Sequence, residues 1–234
     1  MRPYFLRMAR AACAYCLLVA ASSFSFANVL VNPGFETDAL LGAPLAGLSG
    51  WNSLPTANTA SKNGHPTHSG IGSLRLDVQG DGVADAFQTF AANPGEVWDF
   101  QGYMLATFGA LAPPSFGLLK IVWSNGAMDL APVLINFGVD DPFTAAPGIM
   151  ASPLLDVTNA DGLWHFARAQ GVAPAGTTEV KFFALLVTPP SGSALPGATA
   201  YFDDLQANRV PEPGTLALLL AALLAIPLGR KRSA

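Results

Sequence analysis

The side chains able to do chemistry in this 234-residue chain are few, and they follow no catalytic spacing. Three histidines could act as bases or ligands. His65 and His68 share a turn-rich loop with no partner motif, and His165 follows Trp164 in a strand-like stretch, where it reads as an edge histidine. No HExxH pair, GxSxG nucleophile turn or phosphate-cradling loop is present, the spacings that would set a base, a nucleophile or backbone N–H groups against a reacting atom. Fifteen acidic residues lie between Asn28 and Arg209. Two of them placed for glycoside hydrolysis would need only proximity in space, which a sequence does not mark. The chain reads as non-enzymatic.

Aromatic side chains offer a different chemistry. Saccharide recognition relies on aromatic faces stacking on the apolar side of a sugar ring, with a few amide and carboxylate hydrogen bonds. Trp98 lies within a strand pattern and reads as core. Trp123, at the end of its strand beside Ser124-Asn125, and Tyr103, on a long central strand, are the residues expected to face a ligand.

Both ends of the chain carry targeting features. Arg2, Arg7 and Arg10 precede an apolar run from Ala11 to Ala21, and Ser25-Phe26-Ala27 offers small residues at the two positions a signal peptidase reads. The expectation is a signal peptide over 1–27, cleaved after Ala27. At the other end Val210-Pro211-Glu212-Pro213 is rigid and extended, because proline fixes φ and disfavours helix before it. Gly214 to Gly229 is uncharged and dominated by Leu and Ala, and Arg230-Lys231-Arg232 follows. As a helix this run spans roughly 24 Å, short of the hydrocarbon thickness of about 30 Å, so it makes a marginal permanent span. The basic cluster would hold that end in the cytoplasm and the domain before it across the membrane.

That order closely resembles the PEP-CTERM sorting signal of Gram-negative bacteria, with Pro211, Glu212 and Pro213 carrying the match over residues 210–234. The resemblance implies recognition by an exosortase, a membrane transpeptidase that cuts near Pro-Glu-Pro, and an association with exopolysaccharide. Pro227 departs mildly from the pattern and weighs against a permanent anchor. The implied route is an inner-membrane intermediate, then the cell surface or extracellular matrix.

Between the two signals, residues 28–209 suit one domain. Six basic residues there face fifteen acidic ones, more acidic than the whole-chain charge of −4, because both signals are basic. Such a surface repels nucleic acid and anionic lipid, and is compatible with neutral sugars and divalent cations. Cys13 and Cys16, the two cysteines, leave with the signal peptide, so the domain has no disulfide.

The domain reads as short strands broken by Gly, Pro, Asn and Asp, with no sustained helical period. Strands are expected over Val29–Val31, Ser73–Val78, Ala86–Phe90, Val97–Thr107, Leu118–Trp123, Val133–Val139, Trp164–Val172, Val180–Thr188 and Ala198–Leu205, with a hairpin signal at Asn125-Gly126. The stretch Asn52–Gly72 reads as loop and Asp140–Pro153 resists placement. The fold class is all-β, an antiparallel β-sandwich.

Asn32-Pro33-Gly34-Phe35-Glu36, Trp51, His68-Ser69-Gly70 before Ser73-Leu74-Arg75-Leu76, and a closing Tyr201-Phe202-Asp203-Asp204-Leu205 resemble the galactose-binding-like jelly roll, a fold shared by many carbohydrate-binding modules. The middle, roughly 106–153, departs from the pattern. The resemblance implies that Trp51 and Trp164 pack in the core. It also implies a structural calcium ion held by Glu36 and Asp203, with Asp204 a weaker ligand, and backbone carbonyls completing the six to eight oxygens calcium takes. The resulting expectation is a non-catalytic, exported jelly roll that binds extracellular polysaccharide. A purely structural or adhesive surface protein is the main rival, and a polysaccharide hydrolase a more remote one.

Overall fold

The computed structural model describes residues 27–37, 50–54, 59–107, 109–111, 114–127, 129–130, 149–189 and 197–210. Most of the signal peptide, the sorting tail from Pro211 onward and the expected strand Val133–Val139 lie outside these residues. Within the described residues no helix is long and apolar enough to cross a membrane. Asn28–Val210 forms one compact unit.

Its strands are β1 (Thr59–Asn63), β2 (Ser73–Val78), β3 (Gly82–Ala91), β4 (Val97–Leu105), β5 (Phe116–Ser124), β6 (Ile149–Ala151), β7 (His165–Val172), β8 (Glu179–Thr188) and β9 (Ala198–Val210). They build two antiparallel sheets, one in the order β1-β2-β9-β4-β7 and one in the order β3-β8-β5-β6. The architecture is a jelly-roll β-sandwich, in which each sheet is assembled from strands distant in sequence.

Period-2 alternation decides the faces of the first sheet. In β2, Leu74, Leu76 and Val78 are buried while Arg75 and Asp77 look outward, and in β7 Ala167, Ala169 and Gly171 alternate with exposed Phe166, Arg168, Gln170 and Val172. The inward residues meet Leu119, Ile121, Trp123, Phe182 and Leu186 of the second sheet in one core. Each such large side chain contributes about 1.5–3 kcal/mol of burial.

The second sheet is buried on its other side as well. Every residue of β5 is buried, and Phe116, Leu118 and Val122 join Phe183, Leu185 and Val187 of β8 in a separate apolar cluster on the outer face. This explains why β5 and β8 read as continuous apolar runs instead of alternating ones.

Several strands differ from expectation. Val29–Val31 is not a strand, although the Val29 N–H reaches the Ala207 carbonyl beside β9 at 3.0 Å. β1 comes from the polar stretch read as loop. It is an edge strand, paired only with β2, and an edge tolerates the polar composition that masked it. β9 also runs past the expected Leu205 to Val210. After β5 the chain does turn back at Asn125-Gly126, where the Leu130 N–H donates to the Trp123 carbonyl at 2.8 Å.

Candidate functional site

The Asn32–Glu36 segment is a tight loop made by its own side chains. The Phe35 N–H donates to the Asn32 carbonyl at 3.2 Å, and the Asn32 side chain holds both the N–H and the carbonyl of Thr37. Trp51 Nε1 donates to the Asn32 carbonyl at 3.1 Å, and the Leu205 N–H to the Pro33 carbonyl at 3.1 Å. Asn32 and Phe35 both take left-handed backbone angles, φ 48° and 56°. This strain aims Phe35 into the core, 5.1 Å from the Trp51 ring, and leaves Glu36 pointing the other way.

Glu36 then clamps a second loop. Its carboxylate accepts the Ile71 N–H at 2.8 Å and the Gly72 N–H at 3.2 Å. Gly70 passes so close that a Cβ there would lie 2.1 Å from Glu36 Oε1, and its φ of +60° suits glycine. Asp203, on β9, accepts from the other end of the same loop, the His68 N–H at 2.7 Å and the Ser69 N–H at 3.1 Å. Asp204 completes the clamp through Ser69 Oγ and His68 Nδ1, each at 2.7 Å. The register of β4 against β9 shifts here, and Asp204 has φ 49°, so a β-bulge turns two consecutive carboxylates onto one loop.

The structure therefore gathers Glu36, Asp203 and Asp204, residues from opposite ends of the domain, around Gly34. A Cβ on Gly34 would lie 3.7 Å from an oxygen of each aspartate and 3.6 Å from Glu36 Cγ. Asp203 is fully buried, and burial, with the Asp204 charge adding to it, raises its pKa against the pull of three backbone N–H donors. Among the described residues no three His, Cys, Asp or Glu side chains form a ready metal cage. The donor type nevertheless fits calcium: these are hard carboxylate oxygens, one of them buried beside a like charge. An ion at this cluster would take its remaining ligands from backbone carbonyls and water.

Immediately beside the clamp stands an aromatic ledge. His68 lies on Tyr103 of β4, with centroids 3.6 Å apart and planes 14° from parallel. Trp164 meets the edge of His68 at 5.7 Å, and Phe166 of β7 meets Tyr103 at 5.5 Å. Tyr103 and Phe166 are register partners and so share the outer face of the first sheet. Phe166 is 53% exposed, and Leu163 in the preceding turn 64%. Asp161 shapes that turn. It accepts from His165 Nε2 and from the Leu163 N–H, each at 2.9 Å, and those bonds, His165 foremost, hold its carboxyl below the usual range.

Tyr103 thus sits on an accessible aromatic surface, whereas Trp123 does not. Trp123 shares inward parity with Leu119 and Ile121, is 0% exposed, and belongs to the core. The sheet continues past it, since the Thr178 N–H bonds the Ser124 carbonyl. The strand end that suggested a ligand-facing position is therefore covered. Trp164 departs from its expected core role in the opposite sense: it stands half-buried at the rim, just before β7 begins. Sequence reading weighed His68 only as a base or ligand and passed over Phe166. Phe166 alternates outward among polar Arg168 and Gln170, a legible signal, while the stacking of His68 depends on a loop folded by distant carboxylates. Pro211, Glu212, Pro213, Arg230, Lys231 and Arg232 lie outside the described residues, and Ala27 is exposed at their edge.

No protein-family model matches the chain, and no curated protein matches it in sequence. Solved structures resemble it distantly. One is the enzymatically active domain of tailspike protein 4 of bacteriophage CBA120, with a TM-score of 0.49 and 14% identity over 78% of this chain and 21% of that one. Another is the CBM22-1 xylan-binding domain of Paenibacillus barcinonensis Xyn10C, with a TM-score of 0.48 and 13% identity over 76% and 92% of the two chains. A third is TmCBM61, solved with β-1,4-galactotriose, with a TM-score of 0.45 and 15% identity over 79% and 99%. This chain spans about a fifth of the first of these proteins. Any functional reading rests on the site itself.

Proposed function

We propose that the protein is a non-catalytic polysaccharide-binding jelly roll whose sugar-facing surface is the ledge of His68, Tyr103, Trp164 and Phe166. The single observation that carries this reading is four rings in sequential contact on an accessible sheet face, braced from below by the carboxylate-held loop. Flat, rigid aromatic faces bury the apolar side of a sugar ring at little entropic cost. The acidic surface favours a neutral glycan. Glu36 and Asp203, assisted by Asp204, would hold a calcium ion that stiffens the loop under His68.

The terminal segments extend the proposal to location. A signal peptidase would cut after Ala27, and an exosortase would recognise Pro211-Glu212-Pro213 after Arg230, Lys231 and Arg232 had fixed the tail's orientation. The protein would pass through the inner membrane to the cell surface or matrix. Support for this comes from the residue order at each end of the chain.

The test is to titrate the full-length protein against a panel of neutral polysaccharides, with and without calcium. Saturable, selective binding that Phe166→Ala weakens about three- to tenfold, the worth of one aromatic contact, is the expected result. A folded protein that binds none of them would sink the reading. The exposed apolar residues Ile71, Leu163 and Phe166 favour a second reading, adhesion between protein surfaces. Self-association indifferent to added polysaccharide would select it.

A further inference from the structure

On the first sheet, away from the aromatic ledge, β2 and β9 floor a polar cavity of about 410 Å³, walled by Gly109, Ala110 and Gly197. Its size falls within the range of about 300–1,000 Å³ usual for small-ligand sites. The walls are fixed in place: the Thr199 N–H donates to the Ala110 carbonyl at 3.0 Å, and a Cβ on Gly197 would come within 2.9 Å of the Val78 carbonyl oxygen.

The floor carries one organised polar group. Arg75 Nη2 donates to Asp77 Oδ1 at 2.9 Å, its Nε stands 2.8 Å from Asp77 Oδ2 as an ion pair without a hydrogen bond, and Thr199 Oγ1 donates its proton to the same Asp77 Oδ1 at 2.7 Å. With its proton committed to Asp77, the Thr199 oxygen is left to accept, while a guanidinium keeps N–H groups beyond those given to one carboxylate. Donor and acceptor thus stand side by side. A hydroxyl is both donor and acceptor, so adjacent hydroxyls on a ring match this pair. A carboxylate does not, because Asp77 already balances the Arg75 charge and would repel a second anion. Tyr201, the register partner of Arg75, shares the outward face and adds an aromatic neighbour.

We infer that the Arg75–Asp77–Thr199 cavity is a second saccharide subsite, reading vicinal hydroxyls of a neutral sugar unit and rejecting uronate units. The inference rests on the polysaccharide-binding reading, and it makes the protein bivalent toward a chain that reaches both the cavity and the ledge. Two weak contacts on one polymer then act together through effective concentration.

The experiment titrates the full-length protein with cellohexaose, xylohexaose, β-1,4-galactotriose and, as the acidic probe, hexagalacturonate. The variants are Arg75→Met, Thr199→Val, Tyr103→Ala and Phe166→Ala, each first checked for an unchanged unfolding transition. Arg75→Met and Thr199→Val should each weaken binding of a neutral probe about tenfold, with hexagalacturonate unbound by all. Thr199→Val keeps the shape of the cavity and so serves if Arg75→Met fails to fold. Loss of affinity in the two ledge variants alone overturns the cavity and leaves the ledge standing. Loss in the two cavity variants alone does the reverse. Tight hexagalacturonate binding that Arg75→Met abolishes overturns the stated sugar class, and no binding of any probe overturns both sites.

Discussion

His68 lies flat against Tyr103, 3.6 Å between ring centroids, while its backbone N–H and its Nδ1 are held by the consecutive carboxylates Asp203 and Asp204. One residue therefore joins the acidic clamp to the aromatic ledge. The clamp sets where the ring lies, and the ring sets how Tyr103 is presented. Replacing Asp204 by Asn should leave the fold intact, since the three backbone N–H groups on Asp203 remain, but should loosen His68. The expected outcome is glycan affinity reduced several-fold with little change in melting temperature. Equal losses in both would mean that Asp204 serves stability only.

Asp85 is a buried carboxyl on the outer face of the second sheet. Its Oδ1 accepts the Leu54 N–H at 2.9 Å, its Oδ2 has no hydrogen-bond partner, and it is 2% exposed. Burial, only partly offset by the Leu54 bond, pushes its pKa up to about 6. The folded state thus holds the proton more tightly than the unfolded chain, whose pKa is about 4. Stability from this group is full below about pH 4 and is lost as pH rises toward 6. Asp85→Asn keeps the acceptor and removes the charge. It should stabilise the protein by about 1–2 kcal/mol at pH 7, after the cost of an unpaired amide, and near pH 4 that gain should be gone, leaving only the amide cost. Urea unfolding at both pH values checks this, and a less stable variant at pH 7 would refute it.

Lys120 presents the opposite case on the same face. It is 0% exposed, and burial lowers its pKa to about 8 against the attraction of Asp129. The unfolded chain keeps its proton up to about pH 10.4, so stability rises as pH climbs from about 8 to 10. Lys120→Met fills the same space without a charge. It should gain about 2–3 kcal/mol at pH 7 and progressively less toward pH 10. Thermal melts across that range measure the gap. A gap that stays constant with pH would place the effect in packing instead of charge.

How much of this was legible in the sequence depended on whether one strand or several made the feature. Leu74, Leu76 and Val78 announced an inward face by alternation alone, and that face is where they pack. Trp123 misled because local sequence shows a strand end, whereas its side chain points inward with Leu119 and Ile121 into the core between the sheets. β1 escaped notice because an edge strand borrows its order from β2. The nearness of Glu36 to Asp203 could be expected only from a family resemblance, since no local rule links residues at opposite ends of a domain. The bulge at Asp204 and the ring of His68 on Tyr103 follow from tertiary pairing and left no mark on local pattern.

Calcium at the Glu36–Asp203–Asp204 cluster makes a prediction that stability measurements alone can decide. An ion that binds only the folded state stabilises it by about 2.7 kcal/mol at a hundred times its dissociation constant. For a domain of this size that corresponds to roughly 5–10 °C in melting temperature. Chelation should therefore lower the melting point of the full-length protein by that order, and added calcium should restore it. Asp203→Asn removes a buried negative ligand and should abolish the response, leaving a melting point that neither chelator nor calcium moves. Magnesium should restore little, because it demands a tighter octahedral shell than these carboxylates and loop carbonyls provide. A wild-type melting point unmoved by chelation would show that the backbone N–H groups of His68, Ser69, Ile71 and Gly72 satisfy these carboxylates without an ion. The clamp would then be a pure hydrogen-bond device, and Gly70→Ala, which forces a Cβ against Glu36, would still break it.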